Sequence, residues 1–163
     1  MILTCVFLAL ALRGGVGGSA LQDCAPTNEM RARASVLGYE IASGKHPEAN
    51  TPMSCGDVNE DGKVDLCTVL VNGPAKWKAA CFVSRGGEWK VESIADSSDV
   101  GLNAVRPVAL SLEVMKAGTT LTWANAAAEL TLRRDCVWFG VSESAERLYC
   151  FNGATFLPLQ LSD

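Results

Sequence analysis

The chain has 163 residues, a formal net charge of −4, 48% hydrophobic residues and 20% charged residues. That composition excludes a disordered chain and points to one domain. The acidic balance, with Arg133 and Arg134 as the sole adjacent basic pair, argues against a nucleic-acid partner, because no basic cluster is present to release phosphate counterions.

Residues 1–12 (MILTCVFLALAL) form an apolar run of signal-peptide length. The run is too short to span a bilayer, which takes roughly 20 residues. Gly18 and Ala20 occupy the small-residue positions before a cleavage site, so residues 1–20 are expected to be a signal peptide and 21–163 a single mature domain. No Lys or Arg precedes the apolar run; Arg13 follows it. The Asp beside Cys24 in LQDC (21–24) does not suit lipid attachment, so the expected product is soluble, periplasmic or secreted, with no membrane span. Of seven cysteines, Cys5 lies in the leader, leaving an even six for a disulfide framework. The absence of any C-x-x-C pair and the presence of one histidine argue against structural zinc.

In the mature region, residues 26–43 (PTNEMRARASVLGYEIAS) place Met30, Ala34, Leu37 and Ile41 at helical spacing, with Pro26 at the start and Gly44 at the end. Residues 44–52 read as a loop. After an acidic bend the period changes to two. LCTVLV (66–71), WKAACFVS (77–84) and EWKVESI (88–94) read as strands joined by turns at Asn72-Gly73-Pro74 and Arg85-Gly86-Gly87. With Cys67 opposite Cys81, Val71 faces Trp77. With the next hairpin centred on Gly86, Val83 faces Trp89. One face then holds Cys67, Val69, Val71, Trp77, Ala79, Cys81, Val83, Trp89 and Val91, all apolar. The opposite face is mixed, and the helix is expected to cover part of it. Further strands are expected at 108–115, 119–125, 128–132, 136–142, 147–153 and 155–161, the last an edge strand because of Pro158. The expected bridges are Cys24–Cys55, Cys67–Cys81 and Cys136–Cys150, one of the 15 connectivities that six cysteines allow. The fold class is α+β, mainly β: an N-terminal helix, then antiparallel hairpins, stapled by disulfides.

The bend itself reads GDVNEDGKVDL (56–66). Asp57, Asn59, Asp61 and Asp65 supply three carboxylates and an amide oxygen, the Lys63 carbonyl adds a fifth donor, and Gly62 permits the sharp turn. Ca²⁺ takes 6–8 oxygens in a tolerant geometry, whereas Mg²⁺ dehydrates reluctantly, so Ca²⁺ is the expected cofactor. An EF-hand or dockerin loop needs an acidic ligand at its twelfth position and a helix beyond it. That position is Thr68, inside a β-branched run. The pattern instead resembles the FG-GAP and VCBS-type repeats of integrin heads and bacterial surface proteins, in which GDVNGDGxxDL leads into a strand. The resemblance is specific over residues 56–71 and weaker through 94; Glu60 stands where those repeats often have Gly. The chain's ending, from Asp135 through LYCFNG to LQLSD, is similar to the tail of small exported bacterial proteins carrying one such repeat. The resemblance implies a blade-like sheet unit and calcium ligation by Asp57, Asn59, Asp61, Lys63 and Asp65, with the ion pinning the loop.

Catalytic signals are sparse. His46, the lone histidine, sits in a loop, and no Ser has a nucleophile-elbow context. Asp57 and Glu60 form a possible carboxylate dyad, but calcium ligation uses the same charges. Trp77, Trp89, Trp123 and Trp138 fall in alternating strands, where core packing is the ordinary role. The expectation is therefore a non-enzymatic binding module for a protein or glycan partner, with no ligand-binding residues assigned. The alternatives are a periplasmic inhibitor or immunity protein against a cell-wall hydrolase or toxin and, last, a small hydrolase.

Overall fold

A computed structural model of the chain describes residues 24–42, 53–99, 102, 105, 109–122, 129–141 and 146–159. The expected signal peptide at 1–20, His46 and Trp123 lie outside the described residues. Among those described, the protein is mainly β, with one short helix and antiparallel sheets.

The helix, α1 (Asn28–Val36), starts where Thr27 caps it: the Thr27 hydroxyl accepts the Met30 N–H at 3.2 Å. It ends a full two turns before Gly44, the stop that apolar spacing predicts. Gly38 takes a left-handed φ of +77°. The Tyr39 N–H donates to the Ala34 carbonyl at 3.0 Å and the Gly38 N–H to Ser35 at 2.9 Å. This is a Schellman closure, which glycine enters without steric cost. Met30 and Ala34 are buried, but Ile41, the last residue of the expected helical stripe, belongs to strand β1 (Glu40–Ile41).

The first sheet is built on β3 (Asp65–Asn72), β4 (Lys76–Arg85) and β5 (Glu88–Asp96). Along the outer side of β3, β1 pairs with one end and β2 (Met53–Gly56) with the other. Cys67 lies opposite Cys81, and Val71 opposite Trp77. The β4–β5 register differs from the expected one by a residue: Ser84, not Val83, lies opposite Trp89. The cause is the turn. Gly86 and Gly87 have φ of +60° and +87°, a two-residue type I′ connection closed by Arg85 and Glu88, whereas a hairpin centred on Gly86 takes Arg85 into a three-residue loop. Trp89 and Val91 therefore pack on the α1 side, with Leu66, Leu70 and Phe82. A register shift between Ala79 and Ala80 marks a bulge farther along.

The second sheet has the order β11–β10–β9–β6, formed by β6 (Leu110–Met115), β9 (Cys136–Val141), β10 (Glu146–Phe151) and β11 (Phe156–Leu159). Pro158 sits on β11 at the sheet's edge, where its missing N–H does not break a ladder. A separate hairpin joins β7 (Thr120–Thr122) to β8 (Glu129–Thr131). The inner faces of the two sheets share one core, in which Val69, Trp77, Val83 and the Cys67–Cys81 bridge meet Val114, Val137, Phe139 and Phe156. Trp77 is wholly buried; its indole N–H donates to the Val105 carbonyl at 2.9 Å, and its ring lies 6.0 Å from that of Phe139. The disulfides are Cys24–Cys55, Cys67–Cys81 and Cys136–Cys150. The last two close hairpins of equal sequence separation, 14 residues, for which loop-closure entropy gives about 3 kcal/mol each.

The first sheet meets the second closely at Gly56. A Cβ there would stand 2.5 Å from both Asp135 Oδ2 and Val114 Cγ1. Gly56→Ala is expected to destabilise the fold by about 1–3 kcal/mol through overpacking, read as a lowered urea midpoint of the oxidised protein.

Candidate metal-binding loop

The acidic bend connects β2 to β3, and its conformation follows from its own side chains. Asp57 accepts the N–H groups of Asp61 (3.0 Å) and Gly62 (2.8 Å). Asn59 Oδ1 accepts the Asp61 N–H at 3.1 Å, and Asp61 Oδ1 accepts the Lys63 N–H at 2.9 Å. Asn59 and Asp61 thus each form an Asx turn, and Asp57 reaches farther, closing the bend across four and five residues. Gly62 supplies the left-handed backbone at φ +80°. Val58, fully buried, fixes the bend to the core.

Two further groups tie the bend to β4. The Asn59 side-chain amide donates to the Ser84 carbonyl at 2.7 Å. Asp65, with no solvent exposure, accepts the Val58 N–H at 3.1 Å and the Ser84 N–H at 3.0 Å. Burial pushes the Asp65 carboxyl up from an ordinary 3.8 to about 6; the two N–H donors pull it down, and neighbouring Asp61 and Asp57 raise it further. The loop's own cation, Lys63, directs its ammonium to the Ser84 hydroxyl at 3.4 Å.

The five sequence-assigned residues, Asp57, Asn59, Asp61, Lys63 and Asp65, thus lie in one closed turn. Their carboxylates accept backbone N–H groups, and among the described residues no three His, Cys, Asp or Glu side chains gather as a metal-holding group. The bend's Asn59 amide and Lys63 carbonyl are oxygen donors outside that residue set. One participant has no local sequence signal. Asp135, 78 residues beyond Asp57, accepts the Asp57 N–H at 3.1 Å, the Ala117 N–H at 2.9 Å and the Lys116 ammonium at 2.9 Å. Next to it, Arg134 lies 3.4 Å from Glu60 and donates to the Phe151 carbonyl at 2.8 Å. The turn that leads into β9 therefore grips both the entrance and the tip of the bend. Trp77 is core, and Trp89 and Trp138 are partly buried. A scan against family models and searches of curated proteins and solved structures found no match to this chain.

Glu60 has a φ of +61°, the one left-handed non-glycine among the described residues. A side chain there costs about 1–2 kcal/mol, while its exposed ion pair with Arg134 returns at most about 1 kcal/mol. Glu60→Gly is therefore expected to raise stability by about 1 kcal/mol or less, measured by chemical denaturation.

The Asp65 shift fixes a pH response. Its folded value lies above its ordinary one, so between pH 3.8 and about 6 the native chain holds a proton that the unfolded chain has released. The stability this group contributes is complete below 3.8 and is lost as pH rises through about 6, a span of about 3 kcal/mol. In chelator, the difference between wild-type and Asp65→Asn unfolding free energies is expected to change with that sign across pH 4–7. At pH 4 the Asn variant is also expected to be weaker by about 1–3 kcal/mol, since an amide leaves one of the two N–H donors unpaired, and that deficit narrows as pH rises.

Proposed function

We propose that this chain is an exported, non-enzymatic binding domain, a single FG-GAP/VCBS-like unit whose acidic bend holds one calcium ion. The observation that carries the reading is Asp65: a fully buried carboxylate beside two like charges, with the nearest loop cation directed at a hydroxyl instead. A divalent ion answers that excess of negative charge. The donor chemistry fits a hard cation, because every donor on the bend is an oxygen. Asp57, Asn59, Asp61, the Lys63 carbonyl and Asp65 are the residues that would hold it. When bound, the ion supplies charge neutralisation. The chain's own residues do the rest: the Asx turns preset the bend, and the Asp65 and Asn59 contacts to Ser84 pass its rigidity to β4.

The sheet context supports the same reading. β2, β3, β4 and β5 form an antiparallel meander with the acidic bend between its first two strands, a blade-like unit. Three disulfides suit an oxidising compartment, and among the described residues no helix is long and apolar enough to cross a membrane. Periplasmic or secreted placement and a protein or glycan partner complete the proposal.

Calorimetric titration and thermal melting of oxidised, chelator-stripped protein test it. Calcium at about a hundredfold over its Kd is expected to add about 2.7 kcal/mol, seen as a rise of several degrees in Tm, with magnesium much weaker. Calcium affinity is expected to fall below about pH 6, where a proton competes for Asp65. Asp61→Ala, at an exposed position, should keep the fold and lose the response. Absence of both heat and melting shift at millimolar calcium overturns the reading.

A further inference from the structure

β5 ends the first sheet, and among the described residues no strand pairs with its outer side. Which of its backbone groups face that side follows from the turn before it. In a two-residue type I′ hairpin, the closing residues, Arg85 and Glu88, exchange both hydrogen bonds. Ser84, one step back, directs its N–H to Asp65 and its carbonyl to Asn59, away from β5. The Ser84–Trp89 pair is therefore a non-hydrogen-bonded one. By alternation, Trp89, Val91 and Ser93 present their N–H and C=O groups to the open edge, and their side chains lie on the α1 face. There Trp89 and Val91 border an open groove of about 400 Å³ with Val36 and Leu37, which are 85% and 51% exposed.

We propose that two copies of this chain associate through β5, antiparallel, about a two-fold axis passing through Val91. This register pairs Val91 with Val91 and Trp89 with Ser93 through groups already directed outward. It also sets Lys90 of each copy opposite Glu92 of the other, two reciprocal charge pairs on the face away from the helix. Glu92 meets Arg85 of its own chain at 3.7 Å, and a carboxylate accepts a second cation readily. Moving the axis one residue either way places Lys90 opposite Lys90, or Glu92 opposite Glu92, so charge selects the Val91 centre. The bulge after Ser93 ends the ladder. On the helix side the two grooves join, and each covers the exposed Val36 and Leu37 of the pair. A closed two-fold contact of this kind uses up the edge and does not propagate into a fibre.

Sedimentation velocity of the oxidised chain from about 1 to 200 µM tests the pairing. A concentration-dependent dimer is expected. Lys90→Glu, and separately Glu92→Lys, should each weaken it about tenfold by creating two like-charge pairs, and the double exchange should restore it. Val91→Pro should abolish the dimer while circular dichroism stays native, because the N–H it removes faces the edge and not β4. A wild-type chain that stays monomeric over the whole range overturns the proposal. So does a dimer that both single charge variants leave unchanged. If Val91→Pro fails to fold, the charge exchange decides.

Discussion

Asp65 is the one charge-bearing side chain that the described fold buries completely, and the geometry around it depends on what its two oxygens hold. One takes the Val58 N–H at the start of the bend and the other the Ser84 N–H on the neighbouring strand. A carboxylate without water must find donors or give up its charge. Here it has two donors and two acidic neighbours, so its charge is only partly compensated. Replacing it by an apolar residue would leave two buried N–H groups without partners, and this is why a carboxylate stands at a position that packing alone would give to valine or leucine. The rest of the bend is cut to match: Val58 enters the core, Gly62 turns, and Asp57, Asn59 and Asp61 consume the backbone donors that a tight turn leaves open.

The three disulfides divide their work by layer. Cys24 and Cys55 pack in the cluster between α1 and the first sheet, Cys67 and Cys81 in the core between the sheets, and Cys136 and Cys150 in the cluster under the β7–β8 hairpin. Each hydrophobic cluster thus contains one covalent staple. The arrangement suits clusters of unequal size: the inter-sheet core is extensive, whereas the outer two are small and would gain little cooperativity from apolar burial alone. It also explains how a nine-residue helix stays docked. Isolated helices of that length are unstable in water. This one is fixed covalently just before its cap by Cys24 and sealed at its end by Gly38.

Strands with alternating apolar residues and clear turn signals were legible in the sequence. The hairpin through Cys67 and Cys81 could be placed to the residue, because one face had to be apolar and the cysteines had to meet. The helix was legible in its beginning but not in its end. Ile41 continues the helical period by coincidence, and the local demand of Gly38 outweighs it. The β4–β5 register was not legible because Trp89 and Val91 suit either face: the inner core and the α1 cluster are both apolar, so burial pattern does not choose between them. β1 and β2 are too short to show a period. In the bend, the acidic spacing was plain, while Asp135 and Arg134 were not, since nothing local marks residues that act on Asp57 and Glu60 so far back along the chain.

The turn that hid the register also ties the bend to the sheet's free edge. β4 is fixed on one side by the Cys67–Cys81 pairing and by the Asp65 contact to Ser84. Given that anchor, the number of residues in the turn alone decides which face Trp89 takes and which backbone groups β5 shows to solvent. With two glycines, Ser84 keeps both its N–H and its carbonyl for the bend, and Trp89, directly opposite, is free to spend its own pair outward. A third turn residue would reverse that alternation, sending Trp89 into the crowded inter-sheet core and Lys90 beneath the helix. Gly86 and Gly87 are therefore as much part of the bend's design as the aspartates, since they keep the strand opposite Ser84 from competing for the groups that Asp65 and Asn59 require.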